Sequence, residues 1–247
     1  MKKFIYILVT IFMISTIQAG ELHTVFNQSI DLSKNKTGKL SLLVGEREYL
    51  ALNPALIMID YEANATKRQF LFTDTATSKN FPIYYFDKMS VNTKKDKIVN
   101  LSNKINIFDI NDDGKNEIFI YGRSYYGING FVDKVVILQQ DKDNIIQLMG
   151  LIQTTDLSEI KYIESENIII VAQSIWESQW GSQLEEYSRN KHRYEIDIYE
   201  INNKLHKVPI FTTDKKYNDQ NGSVISDVLD RAISKYHIYK KDLQNAK

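Results

Sequence analysis

The sequence predicts an all-β fold, either propeller-like or a sandwich of about a dozen short antiparallel strands, followed by one C-terminal α-helix. Many short runs alternate apolar and polar side chains, or are wholly apolar and rich in β-branched and aromatic residues. Such runs are typical of strands, and turn-forming residues interrupt them about every 8–12 residues. Near the C-terminus the apolar residues recur at helical spacing instead. No clean internal repeat is visible, which argues against a regular many-bladed propeller.

The chain begins with the pattern of a secretory signal peptide. Met1-Lys2-Lys3 is basic, residues 4–14 are apolar, and the following short segment ends in the small residue Ala19. The apolar run is shorter than the about 20 residues that span a membrane, and an uncleaved anchor is the alternative. We expect a signal peptide at 1–19, then a single β-rich domain at 20–247 that has no membrane span. A periplasmic or secreted location follows, without a lipid anchor because no cysteine lies near the cut.

The first half of the chain is predicted to form short strands joined by polar connections. Residues 45–47 suit a hairpin turn, and the segment 73–80 is rich in Thr, Ser and Asn. The lysine-rich segment 90–103 is predicted to be a loop. The predicted strands are 39–44, 48–52, 55–61, 69–73 and 83–86.

The second half carries the clearest strand pattern. In residues 192–201, apolar side chains alternate with charged ones that include Asp197, which predicts one buried and one polar face. Turns are predicted at 141–144, 165–166 and 202–203, and a loop at 177–191. The predicted strands are 104–110, 117–121, 131–139, 145–152, 162–164, 167–176, 192–201 and 205–212.

The last predicted element is an amphipathic helix at 223–239, packed on the β-body. Ser223 or Ser226 can cap its first turn. The apolar residues at helical spacing are Ile225, Leu229, Ala232, Ile233 and Tyr236.

Charge and cysteine content exclude several classes of function. The chain has 31 basic and 31 acidic residues, and removal of Lys2 and Lys3 leaves 29 against 31, a net charge of −2. Such a balance gives no footprint for nucleic acid. The absence of cysteine excludes disulfides, cysteine-ligated zinc and iron–sulfur clusters.

Residues 109–117, called here the acidic loop, have the spacing of a calcium site. Side-chain oxygens stand at relative positions 1, 3, 5 and 9, and Gly114 at position 6 permits a sharp turn. Oxygen-only ligation favours Ca²⁺, here in a structural role, and Asp112 at position 4 should point outward. The alternative is an ordinary turn, for which Asp113-Gly114 alone would suffice. The candidate ligands are Asp109, Asn111, Asp113, Glu117 and the carbonyl of Lys115.

Residues 109–121 resemble the calcium loop of FG-GAP/VCBS-type repeats, which occur in integrin-like propellers and in exported bacterial proteins. Those repeats usually have a small residue where Asp112 stands and an aspartate where Glu117 stands. An EF-hand is excluded because relative position 12 is Ile120. The resemblance implies a calcium-stabilised β-hairpin.

The order of segments after this loop resembles periplasmic, propeller-like inhibitors of invertebrate-type lysozymes and related immunity proteins. In that group a loop with glycines and aromatic residues follows the calcium hairpin, as residues 122–131 do here. The resemblance implies a protein partner, such as a peptidoglycan hydrolase.

Arg123, Tyr125, Tyr126 and Trp180 are the candidate partner contacts, because Tyr, Trp and Arg are favoured anchors in protein recognition. The alternatives are tyrosines lying flat on the sheet and a tryptophan used for packing. The four histidines show no ligand spacing, and no Gly-x-Ser-x-Gly nucleophile motif is present. A carboxylate pair for glycoside hydrolysis remains open, since the fold sets such pairs.

Taken together, we expect a non-enzymatic, exported, calcium-stabilised protein-binding protein, for example a periplasmic inhibitor or immunity protein against a peptidoglycan hydrolase. The alternatives are a carbohydrate-binding module or hydrolase on the same scaffold, and a surface or adhesin-like structural component.

Overall fold

The computed structural model describes residues 22–45, 55–72, 90–102, 104–125, 131–155, 158–175, 191–202, 204–218 and 223–245. Within these ranges the chain forms three β-sheets and one long helix, so the predicted all-β fold with a C-terminal helix is confirmed, in a sandwich-like form. No described helix has the length and apolar character needed to cross a membrane.

The first sheet is an antiparallel meander of four strands in the order β1-β2-β3-β4. Tight turns follow Ser33 and Ala63. In the second of these turns, Asn64 and Ala65 adopt positive φ angles. The strands are β1 (Leu22–Ser33), β2 (Lys36–Gly45), β3 (Ala55–Ala63) and β4 (Thr66–Phe72).

The second sheet has the order β10-β9-β8-β7-β5 and is antiparallel except for β5, which pairs parallel to β7. Its strands are β5 (Val91–Asn92), β7 (Ile105–Phe108), β8 (Glu117–Tyr125), β9 (Phe131–Gln140) and β10 (Ile146–Thr155).

The third sheet has the order β14-β13-β12-β11-β6, with β15 paired to the start of β13. A 3₁₀ turn, Glu164–Glu166, joins β11 to β12. The strands are β6 (Ile98–Asn100), β11 (Glu159–Ile163), β12 (Ile168–Ile175), β13 (Lys191–Ile201), β14 (Leu205–Thr212) and β15 (Tyr217–Asn218), and the helix α1 is Val224–Asn245.

Three apolar layers hold the sheets and the helix in one stack. The first and second sheets enclose a core that includes Leu40 and Ile120. The second and third sheets enclose another, which includes Phe119 and Val171. The helix packs on the outer face of the third sheet. Two of the three sheets are therefore covered on both faces, which explains the wholly apolar strands in the second half of the sequence.

The two ends of this stack differ in their connections. The end that holds residues 34–35, 64–65, 109–116, 141–145, 164–167 and 202–204 is called here the turn end, because all of these connections except the acidic loop have two to five residues. The strand ends joined by residues 46–54, 126–130, 156–158 and 176–190 lie at the opposite end, the loop end. A hydrogen bond of 2.8 Å from Thr155 Oγ1 to the carbonyl of Ser174 ties the second and third sheets together there.

Residues 90–103 were predicted to be a loop, and this prediction is wrong because the segment contains β5 and β6. The side chain of Asn106 is fully buried; its Oδ1 accepts a hydrogen bond of 2.9 Å from Asn92, and its Nδ2 donates one of 3.3 Å to the carbonyl of Asn100. Through these hydrogen bonds Asn106, on β7, links the polar segment 90–103 to the second sheet. The prediction also lacked β1, and it ended the helix at residue 239, whereas α1 continues to Asn245.

Several predictions lie outside the described residues. They are the signal peptide at 1–19, the strands at 48–52 and 83–86, the turn residues 46 and 47, and nearly all of the loop at 177–191.

Candidate metal site

The acidic loop connects β7 to β8 at the turn end. Phe108 and Glu117 pair across the base of this hairpin, so positions 1 and 9 of the loop sit beside adjacent strands. Gly114 has a φ of 83° and Asp112 a φ of 57°, and these two left-handed residues reverse the chain within the loop. The expected hairpin context of a calcium loop is therefore present.

The side-chain oxygens at positions 1, 3 and 5 turn inward onto the backbone of the loop. Asp109 accepts hydrogen bonds from the backbone N–H groups of Asp113, at 3.1 Å, and Gly114, at 2.6 Å. Asn111 Oδ1 accepts a second bond, also of 3.1 Å, from the Asp113 N–H. Asp113 in turn accepts one of 2.9 Å from the Lys115 N–H. Three of the predicted ligands thus converge on the concave side of one turn.

Glu117, at position 9, is 2% exposed, and its Oε2 accepts a hydrogen bond of 2.9 Å from the backbone N–H of Ile110. Burial raises the pKa of this carboxyl to about 7; the bond from Ile110 opposes the rise, and the charges of Asp113 and Asp109 add to it. A buried carboxylate repelled by two neighbouring carboxylates is an arrangement that a divalent cation would stabilise.

The donor set fits a hard cation in its chemistry. Carboxylate, amide and carbonyl oxygens are the ligands that Ca²⁺ takes, whereas zinc sites are built from Cys and His. In the described part of the chain, no three His, Cys, Asp or Glu side chains are gathered closely enough to hold a metal by themselves. The proposed set therefore depends on Asn111 and the Lys115 carbonyl as well as on its acids.

Asp112 points away from the loop, as predicted. It is exposed, and its Oδ1 lies 3.0 Å from Nζ of Lys95, which approaches Glu164 at 4.0 Å on its other side. Lys95 belongs to the segment between β5 and β6, so it links the acidic loop to the third sheet. Sequence patterns could not reveal this contact, because Lys95 and Asp112 are 17 residues apart in different segments.

Of the predicted partner contacts, the structure describes the side chain of Arg123. Its Nε lies 2.8 Å from Oδ1 of Asp133, a buried carboxylate that also accepts a hydrogen bond of 2.7 Å from the Tyr121 hydroxyl. About a third of the Arg123 side chain is exposed, so this group is partly committed to the fold. Asp133 was not among the predicted functional residues.

The other predicted contacts fall at or beyond the edge of the described residues. Tyr125 is the last residue of β8 and pairs through its backbone with Phe131, while its side chain lies outside the described residues, as do Tyr126 and Trp180. Residues 126–130 and 176–190 both join strand ends at the loop end. The backbone of Tyr125 is therefore placed at the end of the stack opposite the acidic loop.

Comparison with known proteins found no matching family model, no matching curated protein and no matching solved structure.

Proposed function

We propose that this chain is an exported, calcium-stabilised protein that binds a protein partner, in the specific form of a periplasmic inhibitor or immunity protein directed at a peptidoglycan hydrolase. The observation that carries the calcium part is the acidic loop itself. In it, Asp109, Asn111 and Asp113 turn inward beside the buried carboxylate of Glu117.

The argument for calcium is electrostatic. Three carboxylates lie within one short turn, and burial already disfavours the charged form of Glu117. A divalent cation would offset both the repulsion and the loss of solvation, and Ca²⁺ accepts the irregular mixture of carboxylate, amide and carbonyl oxygens that this loop provides. An ordinary turn through Asp113-Gly114 gives no reason to bury an acid at position 9.

The argument for a structural metal, distinct from the binding surface, is one of position. The acidic loop lies at the turn end, whereas β8 ends with Tyr125 at the loop end, where residues 126–130 and 176–190 connect further strand ends. Binding residues are commonly carried by loops on a rigid scaffold. We therefore assign partner recognition to the loop end and calcium to stabilisation of the scaffold.

Isothermal titration calorimetry and thermal unfolding of the chelator-treated protein test the calcium assignment. We expect Ca²⁺ to bind and to raise the melting temperature, since a ligand at a hundredfold excess over its Kd adds about 2.7 kcal/mol of stability. Asp109→Ala should abolish both effects. Asp112→Ala is the matched control, because Asp112 points outward and should leave calcium binding intact. A wild-type protein that binds no Ca²⁺ at millimolar concentration would refute the assignment.

The partner assignment needs a separate experiment. The purified protein is added to peptidoglycan hydrolases of the invertebrate-type lysozyme class, and hydrolysis of cell walls is measured together with complex formation by size-exclusion chromatography. We expect stoichiometric inhibition that weakens in Tyr125→Ala, Tyr126→Ala or Trp180→Ala. Binding to peptidoglycan fragments in place of the enzymes would favour the carbohydrate-binding alternative.

A further inference from the structure

The acidic loop is bonded to the first sheet through a residue outside its proposed ligand set. The backbone N–H of Asn116 donates to the carbonyl of Leu32 at 2.8 Å, and Nδ2 of the same residue donates to the carbonyl of Asp31 at 2.9 Å. Ser33 and Lys115 form an isolated antiparallel bridge alongside. The hairpin turn between β1 and β2 is thus pinned directly to the loop.

The same loop contacts the other two sheets. Nζ of Lys115 donates to the carbonyl of Asp141, in the turn between β9 and β10, at 2.6 Å. The hydroxyl of Tyr162, on β11 of the third sheet, lies 3.4 Å from the carbonyl of Ile110. The acidic loop is therefore a junction at which all three sheets meet.

Hydrogen bonds between the first sheet and the rest of the described chain are concentrated near this junction. Gln140 Nε2 donates to the carbonyl of Leu32 at 2.7 Å, and Asn64 Nδ2 donates to the carbonyl of Asp143 at 3.3 Å. The Ile146 N–H, at the start of β10, also donates to the Tyr61 hydroxyl at 3.1 Å. The two sheets pack in addition through apolar side chains, which lack the direction of hydrogen bonds. The orientation of the first sheet on the second is therefore set mainly at the turn end.

We propose that calcium binding at the acidic loop clamps the first sheet onto the second. This inference rests on the proposed function, because it assumes the calcium site. Asn116 lies between two proposed ligands, the carbonyl of Lys115 and the carboxylate of Glu117, so a bound metal fixes its position. Without the metal, repulsion between the carboxylates opens the loop and withdraws Asn116 from the β1–β2 turn.

The consequence reaches the other end of the molecule. β2 runs from Lys36 at the turn end to Gly45 at the loop end, so the metal at one end controls how firmly the far end of this strand is held. Such coupling between distant positions requires an element with two arrangements, and here that element is the first sheet, docked or loosened. The apolar core beneath it keeps the chain folded in both states.

Hydrogen–deuterium exchange of the full chain, with Ca²⁺ and with chelator, tests the clamp. We expect calcium to slow exchange about tenfold in peptides from residues 22–45, in the range of typical coupling energies. Peptides from 168–175 and 191–201 serve as the internal reference, because β12 and β13 belong to the third sheet and pair with no strand of the first sheet in the described part of the chain. Their exchange should change little.

Two variants separate the clamp from the metal site. Asn116→Ala keeps every proposed ligand and should still bind Ca²⁺ in calorimetry, but calcium should slow exchange in residues 29–33 by only about twofold. Asn64→Ala removes another first-sheet bond that does not come from the loop, and should retain the full calcium effect. If Ca²⁺ does not bind the wild type, the calcium assignment fails and the clamp fails with it. If Ca²⁺ binds and exchange in residues 22–45 is unchanged, the clamp alone is overturned.

Discussion

Glu117 and Asp197 are two acidic side chains that the fold buries almost completely, to 2% and 1% exposure. Burial raises the pKa of both carboxyls, yet their surroundings have opposite charge. Glu117 is the last residue of the acidic loop, where the carboxylates of Asp113 and Asp109 raise its pKa further. Near Asp197, by contrast, Nζ of Lys207 lies at 2.8 Å and opposes the effect of burial on the pKa. Asp197 has a cationic partner in Lys207, whereas no ion pair with Glu117 is formed among the described residues.

Glu117→Gln should therefore act in opposite directions with and without calcium. In chelator at pH 8, above the pKa of about 7, the wild type buries a charge that the variant lacks. We expect the variant to raise the free energy of unfolding by about 1–2 kcal/mol. With Ca²⁺ the variant should be less stable than the wild type, because it loses a charged ligand. Urea denaturation in the two buffers measures both, and a variant that is destabilised equally in each would contradict the metal role.

Lys207→Ala should lower the free energy of unfolding, because it leaves the buried carboxylate of Asp197 without its cationic partner. The Lys207 side chain is 44% exposed, so solvent screens the pair and we expect the free energy of unfolding to fall by about 1–2 kcal/mol. Breaking a fully buried ion pair costs more, about 3–5 kcal/mol. Because the folded-state pKa of Asp197 lies above its unfolded value, stability falls as the pH rises through that interval. The loss should thus be largest near neutral pH and smaller in acid.

Urea denaturation of Lys207→Ala and of the wild type at pH 4 and pH 7 tests whether the loss of stability is larger at the higher pH. Lys204→Ala is the control. It removes an exposed lysine in the turn before β14, the strand that carries Lys207, and should change stability little at either pH. An equal loss from Lys207→Ala at both pH values would show that Asp197 is not the group involved.

These two acids also show what the sequence could reveal. The spacing of oxygens and Gly114 predicted the acidic loop, because its geometry is local. The same reasoning assigned Asp197 to the polar face of an alternating strand, and the structure buries it. That face of β13 packs against the second sheet around Tyr199 and Ile201, and a strand pattern cannot reveal that a further sheet covers its polar side.

At the scale of elements, the first turn of α1 is stabilised by hydrogen bonds to an acidic side chain from β11. Of the two predicted caps, Ser223 and Ser226, the structure uses Ser223, whose Oγ accepts a hydrogen bond of 3.3 Å from the Ser226 N–H. The carboxylate of Glu159 on β11 adds bonds of 2.5 Å from the Val224 N–H and 2.6 Å from the Ser223 hydroxyl. A negative charge at this end of a helix is favourable. The sequence could identify the serine but not the distant glutamate.

Glu159→Ala should consequently lower the free energy of unfolding by about 1–2 kcal/mol and loosen the first turn of the helix. Glu159→Gln should have an intermediate effect, because it keeps an acceptor oxygen but loses the charge. Urea denaturation combined with hydrogen exchange of residues 224–230 measures the two effects. Asp230→Ala, at an exposed position of the same helix, is the control. Unchanged exchange in Glu159→Ala would show that Ser223 alone caps the helix.

Other elements were predicted or missed for equally specific reasons. The strands of the second half were found because burial on both faces makes them apolar, as in β12. The short strands β5 and β6 were missed because they are held by the Asn92–Asn106 amide pair, and a lysine-rich, polar segment gives no hydrophobic pattern. In β1, residues 22–29 are exposed or only partly buried, so this strand also lacks a clear alternation of buried and exposed side chains.

At the scale of the whole molecule, the two longest connections between paired strands, 46–54 and 176–190, lie at the end of the stack opposite the acidic loop. Short turns and the acidic loop connect strands at one end, and residues 126–130 and 176–190 connect strand ends at the other. The strands that flank residues 176–190 are already paired, with Ile175 opposite Arg193. The hairpin between β12 and β13 therefore does not need a long connection to form.

Replacement of residues 177–190 by a short Gly-Ser turn should accordingly leave the fold in place and remove function. A shorter connection lowers the entropy cost of closing the hairpin, so the melting temperature and calcium binding should stay near their wild-type values. Inhibition of the peptidoglycan hydrolase should be lost with Trp180. The matched replacement of residues 109–116 should abolish calcium binding instead, because it removes the loop ligands. If the 177–190 replacement fails to fold, the segment belongs to the core and the loop end is not a separable binding surface; if it folds and still inhibits, recognition lies elsewhere on the molecule.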